Sequence, residues 1–234
     1  DFDRLLPVLN NLGENDGAGW VHYAQSPKDS NNSISSILPL IFCAMNALYD
    51  DDGVINRGSF AAIKALLNID DEHMIATTVM PIVKNGISSR NTAARKLFVL
   101  IVREAAIVFK DNANHLLFGD LHELVNSSDQ DIDFFLNIVH LQVHRRGRAL
   151  NRLRKLLFDK QISVGNSSLN NVLLPLAMHS LHETKSKSGD VNVALDGVAC
   201  IGAIGSALQW GKYAALIHNL LQQIPRQKND PDKE

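Results

Sequence analysis

Proline recurs at matched points in an otherwise helical pattern, and that recurrence limits what this chain can fold into. Pro39 and Pro81 stand 42 residues apart, each behind an apolar residue in the first helix of a helix pair. Pro175 follows 94 residues after Pro81, close to two further periods. A proline inside a helix removes one backbone hydrogen bond and crowds the carbonyl four residues back. The same bend is therefore expected in each unit. A period of about 40–47 residues with two helices per unit is the mark of HEAT and armadillo arrays. The expected fold is all-α, an α-solenoid of HEAT/armadillo-like helical hairpins. Such arrays bury apolar faces between neighbouring repeats and need no single central core.

Helical spacing dominates the rest of the chain, and no strand-like alternation competes with it. Helices are expected over 1–12, 35–48, 54–68, 71–85, 92–109, 114–126, 131–139, 142–158, 167–182, 191–208 and 212–224. The units these make are an N-terminal helix and loop (1–33), two HEAT-like repeats (34–110), an irregular repeat with a basic helix (111–160), C-terminal helical repeats (161–225) and a polar tail (226–234). Cys43 and Cys200 both fall in apolar helical patterns. That usage suits buried thiols in a reducing compartment better than a disulfide framework or a metal site. No apolar run approaches the roughly 20 residues of a membrane span. The start at Asp1 and the polar end PRQKNDPDKE read as a segment of something larger.

Charge is distributed unevenly. Between His140 and Lys160 there are seven Lys/Arg against the single acid Asp159, while the remainder carries 16 Lys/Arg against 24 Asp/Glu. Winding this segment at about 100° per residue puts Val143, Leu150, Leu153 and Leu157 on one side. His144, Arg145, Arg148, Arg152 and Lys155 form a stripe on the other. Arg146 falls in the apolar sector and is expected to pair with Asp131 or Asp133. A cationic stripe neutralises phosphates and releases their counterions without reading sequence. RNA, an acidic protein surface and plain solvent each suit such a stripe.

Other constellations resolve into structure rather than chemistry. His140 and His144 have the spacing of a helical metal pair but lack a third ligand. Phe134 and Phe135, beside Ile132 and Ile138, suit a core better than base stacking. Gly197, Gly202 and Gly205 precede no Gly-Lys-Ser/Thr and follow no strand, so they read as close helix packing. Asp50, Asp51 and Asp52 lack the spacing and terminal Glu of a calcium loop and suit a capped turn. No nucleophile setting occurs. The expectation is a protein that is not an enzyme and takes no cofactor, metal or small-molecule substrate.

One longer pattern is more specific. The run Asp133-Phe134-Phe135, His140, Gln142, His144-Arg145-Arg146, Arg148-Ala149-Leu150 resembles the down-regulated-in-metastasis (DRIM) family, the large HEAT-repeat component of the small-subunit processome. Leu174-Pro175 and Leu208-Gln209-Trp210-Gly211-Lys212-Tyr213 are similar to the same family. The resemblance covers about 131–224; residues 34–110 look only generically HEAT-like. It implies a nucleolar, non-catalytic scaffold in 18S pre-ribosomal RNA maturation, partnered by pre-ribosomal RNA and the U3 ribonucleoprotein. The competing reading is a protein–protein adaptor of the transport-receptor or phosphatase-scaffold type. Trp20 and Trp210, the only tryptophans, occupy no repeated position, which counts against a transport receptor.

Overall fold

A computed structural model describes residues 33–69, 71–112, 114–182 and 190–223. The helix expected over 1–12, the loop after it and the tail from 226 lie outside the described residues. Among those described, every regular element is helical: α1 (Ser33–Ala47), α2 (Gly53–Leu66), α3 (Glu72–Met74, Ile75–Val79 and Met80–Ile87), α4 (Thr92–Val108), a 3-10 turn (Gly119–Leu124), α5 (Phe134–Ile138), α6 (Val143–Phe158), α7 (Asn166–Ser168, Leu169–Leu173 and Leu174–His182), α8 (Asp190–Ala207) and α9 (Trp210–Gln223).

Short polar side chains start α2, α3, α4 and α5. An Asx oxygen at the N-cap satisfies an amide that the helix leaves orphaned. Asp52 accepts from the Val54 amide at 2.7 Å, Asp71 from Met74 at 2.9 Å, Asn91 from Ala94 at 3.1 Å and Asp133 from Leu136 at 3.0 Å. Asp50 in turn accepts from the Asp52 amide at 2.8 Å, so the acidic run is the capped turn its sequence suggests.

Packing follows the amphipathic faces. α1 lies on α2, α3 on α4, and α2 on α4; α6 and α7 both pack on α8. Ile41, Met45, Leu48, Ile63, Leu66, Ile75, Phe98, Phe135, Leu150 and Leu173 belong to one continuous apolar cluster.

Pro81 and Pro175 occupy equivalent places. Each is the second residue after a π-turn, Ile75–Val79 in α3 and Leu169–Leu173 in α7. The Met80 amide donates to the Ile75 carbonyl and the Leu174 amide to that of Leu169, both i→i+5 bonds. The wider turn relieves the crowding that a proline ring imposes on the preceding turn. Pro39 differs, lying within an uninterrupted α-helix.

The helix expected over 114–126 shrinks to the 3-10 turn Gly119–Leu124. Asparagines explain the loss. Asn112 captures the Asn114 amide at 2.7 Å and Asn114 captures that of Leu116 at 3.1 Å, competing with helical bonds. Phe118 is left-handed, with φ 59°, and Gly119 then passes hard against the end of α4. Asp120 fastens this turn to the start of α7, accepting from the Gly165 amide at 2.7 Å and the Ser168 hydroxyl at 2.6 Å.

Cys43 and Cys200 are free thiols, half-buried and buried respectively. Burial pushes the Cys200 thiol up from 9.0 to about 12, opposed by Arg154 and assisted by Asp196. Native-state maleimide labelling at pH 8 should therefore modify Cys43 and spare Cys200 until the chain unfolds, as read by peptide mass spectrometry. The sign for stability follows from a raised folded-state value. The contribution is intact below about pH 9 and is lost as pH climbs towards 12, by up to about 1.4 kcal/mol per unit.

Candidate nucleic-acid interface

The basic segment folds as α6, and its apolar positions build the interior. Leu150, Leu153 and Leu157 are buried, with Val143 half-buried at the start. Gly147 lets the helix lie close to α8. A Cβ there would lie 2.7 Å from the Asp196 carboxylate and 3.6 Å from Val193. The cost of glycine in a helix is accepted where the two helices approach.

On the opposite side His144, Arg148, Arg152 and Lys155 are exposed. None of the four has an ion-pair or hydrogen-bond partner among the described residues. Arg145, the fifth residue of the expected stripe, is half-buried and bound to the Asp131 carboxylate. This corrects the expected pairing. Arg146 instead donates to the backbone carbonyls of His140 at 2.9 Å and Leu141 at 3.2 Å, tying the first turn of α6 to the chain before it. Asp133 is also taken, by Arg103 of α4.

That last contact is the buried anchor of the site. Asp133 is 0 % exposed, and its second oxygen accepts from Arg103 Nε at 2.9 Å and the Asn126 amide at 3.0 Å. Its first oxygen caps α5. Asn137 donates to the Asp133 carbonyl at 2.7 Å and the Gln130 carbonyl at 2.8 Å. Phe134 and Phe135 are core residues, in edge contact with ring centroids 5.4 Å apart. The Asp-Phe-Phe run is thus a fastening between α4 and α5, which holds α6 in place.

An open groove of about 610 Å³ runs between the Asp131–Asp133 segment and the outer face of α6. Arg148, Arg152 and Lys155 form its basic side, while Asp131 and Asp159 supply acids. A second groove, about 390 Å³, separates α6 from α8 and is lined by His144, Arg148 and Asp196. Arg148 borders both.

His140 lies just before α6, and its Nδ1 accepts from the Gln142 amide at 3.0 Å. Lost hydration and the cations Arg145, Lys96, His144 and Arg146 hold its imidazole below the usual 6.5. Lys96 comes from α4, so it is a basic contributor that no local reading of residues 140–160 could supply. Among the described residues no cluster of three or more His, Cys, Asp or Glu is placed to hold a metal ion. Of the three glycines in α8, Gly197 is the one required by packing, since a Cβ would meet Ser180 Oγ at 1.9 Å. Gly202 faces open space.

In class, then, the described residues are all-helical and carry a row of cations, without partners among them, over a buried ion-pair anchor. In sequence it is similar to U3 small nucleolar RNA-associated protein 20 of Saccharomyces cerevisiae, 21% identical over 98% of this chain. It is also similar to the Schizosaccharomyces pombe protein of the same name, 29% identical over 59% of the chain. The chain spans 9% and 5% of the lengths of these two proteins. No family model matches it.

Proposed function

We propose that this chain is part of a non-catalytic helical scaffold in ribosome biogenesis, acting in small-subunit processome assembly and 18S pre-ribosomal RNA processing. The two relatives named as U3 small nucleolar RNA-associated proteins support that setting. A nucleolar location, association with the U3 ribonucleoprotein and membership of the DRIM family are parts of the same proposal. So is the arrangement of α1–α4 as two hairpins of a HEAT-type solenoid, supported by the stacking of α2 on α4. The observation that carries the RNA reading is the partnerless row His144, Arg148, Arg152 and Lys155 on α6. Its mechanism is geometric: the helix presents phosphate-neutralising charge at a fixed position, and the Asp133–Arg103 anchor keeps that position.

The test is binding to structured pre-ribosomal RNA across a salt series, with wild type against R148Q/R152Q/K155Q. Removing three phosphate contacts should lower the slope of log affinity on log salt by about 2–3, together with a loss of affinity. Arg145→Gln should change less, because Asp131 already neutralises that guanidinium. Equal slopes for wild type and the triple variant would refute the RNA contact. A protein–protein adaptor remains the second reading, favoured by exposed Leu195, Val198, Trp210 and Leu221 on α8 and α9.

A further inference from the structure

We propose that the C-terminal end of the cationic row is a subsite for unpaired RNA, in which a base stacks on Phe158 while Lys155 and Lys160 meet the flanking phosphates. The inference rests on the RNA reading above and names its substrate class, single strand rather than duplex.

Phe158 is the aromatic that the fold leaves on this face. It is 77 % exposed, although α6 buries Leu150, Leu153 and Leu157. Three residues after Lys155, it lies about 60° from it around the helix and about 4.5 Å further along. A large apolar side chain gains nothing from water at that exposure. Beside unpartnered cations, its ring is a stacking platform of the kind that holds any base by its face.

The chain termination adds an independent observation. The Lys160 amide donates to the Leu157 carbonyl at 3.2 Å and the Gln161 amide to the Leu156 carbonyl at 2.9 Å. This double closure ends α6 and places Lys160 in the left-handed region, with φ 52°. Glycine is the residue favoured there. A lysine instead carries strain, and strain of that kind gathers where a side chain serves binding. Lys160 is exposed and has no ion-pair partner among the described residues. Duplex RNA keeps its base faces stacked internally, so an exposed ring rewards unpaired strands selectively.

The experiment is fluorescence anisotropy of the whole chain with a labelled single-stranded oligoadenylate of about 12 nucleotides and a duplex RNA of equal length, at one salt concentration. Phe158→Ala should weaken the single strand by about 5- to 100-fold and leave the duplex within about twofold, while Phe158→Tyr retains binding. Lys160→Gly should raise the thermal midpoint yet lower the single-strand salt slope by about 0.7. Unchanged single-strand affinity in Phe158→Ala, with R148Q/R152Q/K155Q losing it, overturns the subsite and leaves the RNA reading standing. Equal losses on both RNAs also overturn it. Undiminished binding by R148Q/R152Q/K155Q removes the RNA reading and the subsite with it, and makes Phe158 a protein contact.

Discussion

Asp133→Ala is expected to destabilise the fold by about 3–5 kcal/mol, the range for removing one member of a buried ion pair. The substitution leaves the Arg103 guanidinium only 14% exposed, with Glu104 as its remaining acidic contact. It also strips the cap from α5 and the acceptor from the Asn126 amide. Asp133→Asn should not rescue the anchor. Its single amide oxygen can keep the cap on Leu136 only by turning the NH2 donor onto the Arg103 and Asn126 N–H groups, so it is expected to lose most of the same stability. Urea unfolding reads both as midpoint shifts at constant slope. A loss below about 1 kcal/mol for Asp133→Ala would show that the anchor contributes little.

The second large effect comes from adding one methyl group. Gly119→Ala places a Cβ 1.9 Å from the Phe109 carbonyl oxygen and 2.7 Å from its carbon. Those are backbone atoms at the end of α4, so no rotamer change relieves the overlap. Either α4 or the 3-10 turn must move, and Leu117, Phe118 and Leu121 around them are buried. The expected cost is about 3 kcal/mol, the upper end of the overpacking range. Gly202→Ala is the control. It faces open space within α8 and should gain up to about 1 kcal/mol from helix propensity. Thermal or urea unfolding should therefore shift in opposite directions for the same chemical change.

Much of this was legible in the sequence because local rules governed it. The Asx caps at Asp52, Asp71, Asn91 and Asp133 precede apolar helical periods, so the helices they start fell where expected. The outward placement of His144, Arg148, Arg152 and Lys155 followed from 3.6-residue winding, whereas Arg145 did not stay free of a partner. The losses were of two physical kinds. Residues 114–118 carry helical apolar spacing, but Asn112 and Asn114 bind nearby amides and divert the backbone. The partners of Arg145, Arg146 and Asp133 depended on tertiary placement, as did the arrival of Lys96 from α4. The exposed ring of Phe158, by contrast, agrees with local winding, which sets it about 140° from Leu153 and about 60° from Lys155.

The wide turns of α3 and α7 have a consequence for how their side chains meet the core. Buried residues recur every fourth position, as Ile75, Val79, Val83 and Ile87 in α3 and Leu169, Leu173 and Ala177 in α7. In a straight α-helix of 3.6 residues per turn, a stripe of period four drifts by about 40° at every step. Over three steps that rotates the last residue about a third of the way round, away from the interior. One turn closed by i→i+5 bonds absorbs an extra residue and turns the drift back. The π-turn therefore acts as a phase correction, keeping the buried stripe on one side of each rod before and after its proline.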